Sequence, residues 1–105
     1  MTHILDRLSA TIEARKGADP EKSYTASLLE DRGAKALAKV SEETGEFIHA
    51  VREESESRVA SEAADVLYHV LVALAARDVP ASAVWAELEK REGTSGHEEK
   101  ASRRT

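Results

Sequence analysis

The chain has 105 residues, enough for one domain with a modest core. Apolar residues make up 41%, charged residues 33% and aromatics only 4%, with Ala and Leu dominating the apolar set, which fits a helical protein and excludes an all-β or disordered one. A net charge of −5 with no basic cluster beyond Arg103 and Arg104 excludes nucleic acid as a partner, and the lack of cysteine excludes disulfides, zinc–thiolate sites and thiol catalysis.

In chain order, residues 2–16 predict a first helix, because Ile4, Leu5, Leu8 and Ile12 recur at helical spacing and Gly17 stops it. Its Asp6, Arg7 and Glu13 break any continuous apolar leader. Residues 17–25 read as a loop around Pro20, and Ser27 to Asp31 as a short helix that ends before Gly33. A long helix is expected over 34–54, with Leu37, Val40, Ile48 and Val51 within about 60° of one another as its core face. After a turn at Ser55 to Ser57, a second long helix runs from Ser57 to Arg77, and Pro80 opens another carrying Ala83, Val84, Trp85 and Leu88. The expected fold is all-α, four to five helices in an antiparallel bundle, with residues 1–92 as the helical domain and 93–105 as a tail. No stretch reaches the roughly 20 uncharged apolar residues that span a bilayer, so no membrane association and a cytoplasmic location are expected.

Two groups of carboxylates carry the chemistry. Glu42, Glu43 and Glu46 fall within one turn of the first long helix, where like charges three and four apart repel by roughly 0.2–0.5 kcal/mol a pair. Glu43 and Glu46 flank the core face beside Ala36 and Ala50, while Glu42 turns toward solvent. On the second long helix, Glu62, Asp65 and His69 share one narrow stripe of a surface that is otherwise apolar. Carboxylates on such a helix need cations, because an isolated buried charge costs several kcal/mol.

Two antiparallel helices joined by a short turn bring Glu43 and Glu46 opposite Glu62 and Asp65. All-oxygen ligation suits Mg²⁺ or Mn²⁺, a Lewis acid toward phosphates and a source of an activated water. Two plainer readings stand beside this one. A glutamate run alone is common on solvated helices, and the Glu62–Asp65 pair can instead be neutralised by Lys35, Lys39 or Arg58. Finding both motifs on neighbouring helices favours the metal. A lone His69 on an apolar helix reads as a hydrogen-bonded core residue, and Tyr68 and Trp85 as packing residues.

Glu42-Glu43-x-x-Glu46, fifteen intervening residues and Glu62-x-x-Asp65 resemble the EExxE…ExxD signature of the all-α, MazG-like nucleotide pyrophosphatases. Within that superfamily, Ser23-Tyr24-Thr25, Gly33-x-Lys35-x-x-x-Lys39, Ala63-Ala64-Asp65-Val66-Leu67-Tyr68-His69 and Ser95-Gly96-x-Glu98-Glu99-Lys100 make the chain similar to the phosphoribosyl-ATP pyrophosphatase family, over nearly its whole length. Ser41 departs from the glycine that family often has there. The resemblance implies Mg²⁺-dependent hydrolysis of phosphoribosyl-ATP to phosphoribosyl-AMP and pyrophosphate, the second step of histidine biosynthesis, in a homodimer formed through apolar helix faces. It implies Glu43, Glu46, Glu62 and Asp65 as metal ligands, Glu42 or Glu46 as base, and Ser23, Tyr24, Thr25, Lys35, Lys39, Ser95, Gly96 and Lys100 as substrate contacts. The rival readings are a house-cleaning pyrophosphatase of free nucleoside triphosphates and, from another class, a non-catalytic helical dimerisation module.

Overall fold

A computed structural model describes residues 3–92, so the expectations for Ser95, Gly96, Lys100 and the rest of the tail lie outside the described residues. Among those described, all regular structure is helical: α1 (Ile4–Ala14), α2 (Tyr24–Glu53), α3 (Glu56–Ala76) and α4 (Ala81–Arg91).

Side-chain caps set three of the four starts. His3 Nδ1 accepts from Leu5 N, Ser23 Oγ from Ala26 N and Ser55 Oγ from Arg58 N, each satisfying a donor that the first turn leaves over. The caps at Ser23 and Ser55 explain why α2 and α3 begin earlier than apolar spacing alone predicts. Pro80 sits at the cap of α4 rather than inside it.

The long α2 is two arms. Backbone angles leave the helical range from Glu30 to Gly33, and Asp31, Arg32 and Gly33 are consecutive left-handed residues (φ 53°, 58° and 78°). Left-handed Asp and Arg each cost roughly 1–2 kcal/mol, so packing must hold this turn in place. Gly33 shows how: a Cβ there would lie 2.6 Å from the Ala76 Cβ. The first arm, residues 24–29, therefore runs along α3 from His69 toward Ala76, and the second, residues 34–53, returns antiparallel toward Glu62. This reversal carries both the Ser23–Thr25 segment and the glutamates to the same stretch of α3.

The core is small: Ile12 of α1, Leu28 and Ala36 of α2, and Leu71, Val72 and Ala75 of α3, with Leu5, Leu8, Leu29 and Trp85 packed round it. Trp85 Nε1 donates to Asp6 Oδ1 at 3.2 Å, tying α4 to α1. Lys16 Nζ donates to Asp78 Oδ1 at 2.7 Å, tying the end of α1 to the turn after α3.

One expectation fails. Leu37, Ile48 and Val51, the predicted core face of α2, are 59%, 47% and 57% exposed. The buried positions are Ala36, Glu43 and Ala50, a stripe rotated roughly 120° from them. Small side chains let α2 and α3 approach closely, so the tightest contact forms along the alanines and leaves the larger apolar residues outward. By length and composition alone α3 also passes as a bilayer-crossing helix. Its buried Glu62 and His69, turned toward α2, mark it as the core helix of the α2–α3 pair.

Candidate functional site

The α2–α3 contact buries three polar side chains: Glu43, Glu62 and His69, at 8%, 4% and 5% exposure. Ligand-capable oxygens of Glu43, Glu62 and the half-buried Asp65 all lie within 4.8 Å of one another. Glu43 Oε2 and Glu62 Oε2 are buried with no hydrogen-bond partner. Leaving such a group unsatisfied costs about 1–3 kcal/mol, and more when it is charged.

The electrostatics follow from this crowding. Burial first, then the charges of Glu46 and Asp65, push the Glu62 carboxyl above its ordinary value, and the opposing pull of Arg58 does not cancel them. Glu46 is exposed at the rim, and the Glu43 carboxylate beside it raises its pKa. Glu46 therefore joins the cluster from the solvent side without belonging to its tightest triad. Glu42 is exposed and sits 3.6 Å from Lys39 Nζ, which also lies 3.8 Å from Glu43 Oε1. Three carboxylates converging through oxygen atoms with spare lone pairs suit a hard divalent cation, which neutralises their repulsion and fills the orphaned positions. The residues fit the metal.

Next to the triad lies a second polar group. His69 Nδ1–H donates to the Asp65 carbonyl at 2.8 Å, which fixes the proton on that nitrogen and leaves Nε2 facing the Tyr24 hydroxyl at 3.2 Å. Thr25 Oγ1 pairs with the Tyr68 hydroxyl. Lys35 Nζ sits over the Tyr24 ring, 5.3 Å from its centroid. The three hydroxyls expected to face substrate thus have partners inside the chain: Ser23 caps α2, and Tyr24 and Thr25 tie its first arm to α3.

On the outer side, Glu42, Gly45, Glu46, His49, Glu54, Arg58 and Glu62 line an open cleft of about 420 Å³. Spacing gave no reason to single out His49 or Glu54. They meet at the C-terminal end of α2, where Glu54 leaves the helix as its cap in extended backbone and lies with Oε2 3.4 Å from His49 Nε2. Arg58, expected only as a possible neutraliser, does pair with Glu62. A larger groove of about 520 Å³ lies between α1 and the α3–α4 turn, but its charged groups, Glu13, Lys16 and Asp78, already pair with one another.

Comparison with known proteins identifies the family. Residues 5–92 match the family model described as phosphoribosyl-ATP pyrophosphohydrolase. A protein of Cereibacter sphaeroides named phosphoribosyl-ATP pyrophosphatase is 60% identical over 95% of this chain and 97% of its own length. Proteins of the same name from Trichlorobacter lovleyi and Dinoroseobacter shibae are 54% and 56% identical, over 97% and 95% of this chain and 94% and 98% of theirs.

Proposed function

The chain belongs to the phosphoribosyl-ATP pyrophosphohydrolase family, and on that premise we propose that it hydrolyses phosphoribosyl-ATP at the α2–α3 carboxylate cluster. The products are phosphoribosyl-AMP and pyrophosphate, the second step of histidine biosynthesis. The convergence of Glu43, Glu62 and Asp65 within 4.8 Å supports this site, since two of their buried oxygens lack a partner that a divalent cation would supply. When bound, Mg²⁺ (or Mn²⁺) supplies Lewis acidity toward the phosphate oxygens and a water of lowered pKa.

The chain's own residues do the rest. Glu43, Glu62 and Asp65 hold the cation, with Glu46 completing the site from the cleft side. The Glu46 carboxylate, exposed on the cleft side of the cluster, takes the proton of the attacking water. Glu42 is held off this role by Lys39. Oxygen adds to the α-phosphorus, the α–β phosphoanhydride breaks, and the β- and γ-phosphates leave together. Lys39 and Lys35 face the phosphates, and Tyr24 and Thr25 orient α3 through His69 and Tyr68. Ser95, Gly96 and Lys100 of the 93–105 segment add substrate contacts to those of residues 1–92.

A second copy of the chain covers Leu37, Ile48, Val51 and Leu67, the large apolar side chains that α2 and α3 leave exposed. The enzyme then acts as a cytoplasmic homodimer. Ile48→Asp is expected to shift sedimentation from dimer to monomer; an unchanged dimer would remove this face from the interface. The decisive assay sets phosphoribosyl-ATP beside a panel of nucleoside triphosphates, with and without Mg²⁺. Hydrolysis of phosphoribosyl-ATP that needs Mg²⁺ is expected. Preference for a plain triphosphate would point to the house-cleaning activity instead.

A further inference from the structure

Arg58 opens α3 one turn before Glu62 and lays its guanidinium across two carboxylates. Nε donates to Glu54 Oε1 at 3.1 Å, and Nη2 donates to Glu62 Oε1. The two partners differ in what they need. Glu62 is buried and its second oxygen has no partner, whereas the Arg58 side chain is 55% exposed. That side chain lines the cleft of about 420 Å³ together with Glu42, Glu46 and His49. The guanidinium thus stands between a buried carboxylate and the solvent from which a polyphosphate arrives.

A cation seated among Glu43, Glu62 and Asp65 takes the unpartnered Oε2 of the carboxylate whose Oε1 Arg58 holds, and so competes for its charge rather than for the same oxygen. Two positive groups cannot both keep Glu62 at full strength, because they repel at the few ångströms that separate ligands of one carboxylate. Glu54 retains its hold on Nε, so Arg58 can pivot without leaving the cleft. Its Nη donors would then be free to turn to a phosphate entering the cleft that Arg58 lines. A planar guanidinium fork matches two oxygens of a phosphate, which a lysine ammonium does not.

We infer that Arg58 is an exchangeable counter-ion: it neutralises Glu62 in the metal-free protein, yields it to the divalent cation, and then binds the departing pyrophosphate end of the substrate. This rests on the metal-dependent hydrolysis proposed above, and the test separates the two. The melting temperature of the full chain is followed against MgCl₂ without substrate, for wild type, Arg58→Gln and Arg58→Lys. With its competitor gone, Arg58→Gln reaches half its rise at about fivefold lower Mg²⁺, the scale of a partly exposed ion pair. Arg58→Lys, a charge without the fork, falls between.

At saturating Mg²⁺, Arg58→Gln raises KM for phosphoribosyl-ATP about tenfold, the scale of one charged hydrogen bond. Tighter metal binding with weaker substrate binding is the signature of exchange; a merely structural Arg58 does not move the two in opposite senses. An unchanged or raised Mg²⁺ midpoint in Arg58→Gln overturns the exchange. A lowered midpoint with an unchanged KM overturns the phosphate contact. A wild-type protein that ignores Mg²⁺ sinks the metal reading itself, and this inference with it.

Discussion

The two ends of α3 are built on opposite terms. From Glu62 to His69 the helix buries carboxylates and an imidazole, and leaves buried oxygens of Glu43 and Glu62 without partners. From Leu71 to Ala75 it buries only apolar side chains against Ile12, Leu28 and Ala36, and the Lys16–Asp78 pair closes the end. Burying like charges costs folding energy, and the apolar burial at the other end of the helix offsets it. One helix thus carries a site that works against the fold at one end and the core that tolerates it at the other. Changes at the two ends should affect different measurements.

The largest separation comes from Glu62→Gln or Asp65→Asn. Either is expected to lower turnover by roughly 10²–10³-fold, the scale of losing one group that stabilises transition-state charge. The metal-free melting temperature should hold or rise, because each removes self-repulsion. A fall in melting temperature that accounts for the lost activity would break the contrast.

Gly33→Ala attacks the turn that joins the two arms of α2. A left-handed alanine costs roughly 1–2 kcal/mol, and a Cβ 2.6 Å from Ala76 adds a clash, so denaturant unfolding should show a loss of about 3 kcal/mol. Ala76→Gly in the same chain should recover the steric part only.

Val72→Ala probes the apolar end. The lost methyls and the cavity should cost about 2 kcal/mol, while the Mg²⁺ midpoint stays where it was.

The smallest effect is a pH dependence of opposite sign at the two ends. Glu62 is raised above 4.5 by burial and its carboxylate neighbours, so its share of stability is complete below 4.5 and is lost as pH climbs through the raised value. Asp78 is lowered below 3.8 by the Lys16 hydrogen bond, so its share is present above 3.8 and is lost as pH falls through the lowered value. Melting curves across pH should show saturating Mg²⁺ abolishing the first loss and leaving the second. Asp78→Asn should remove the second alone.

Much of the site was legible because helical spacing is rigid. Glu62, Asp65 and His69 must share a stripe at i, i+3 and i+7, and an apolar helix with carboxylates on it must answer them with cations. Spacing could not say which face of α2 meets α3. Leu37, Ile48 and Val51 form the stronger apolar stripe, yet Ala36, Glu43 and Ala50 make the contact, because helices pack where side chains are smallest. Nor could spacing reveal the pairing of Thr25 with Tyr68, which depends on a reversal at Asp31 to Gly33. Arg58 stands four residues from both Glu54 and Glu62, so its pairing was within reach of spacing; what spacing left open was that Arg58, and not Lys35 or Lys39, answers Glu62.

The sequence by itself determined the all-helical class, the two carboxylate motifs and the family to which they belong, since each follows from residue type and local periodicity. Only the tertiary structure decided that the first arm of α2 doubles back and that the alanine face is the inner one. Those outcomes turn on close approach between segments far apart in the chain, which no local pattern specifies.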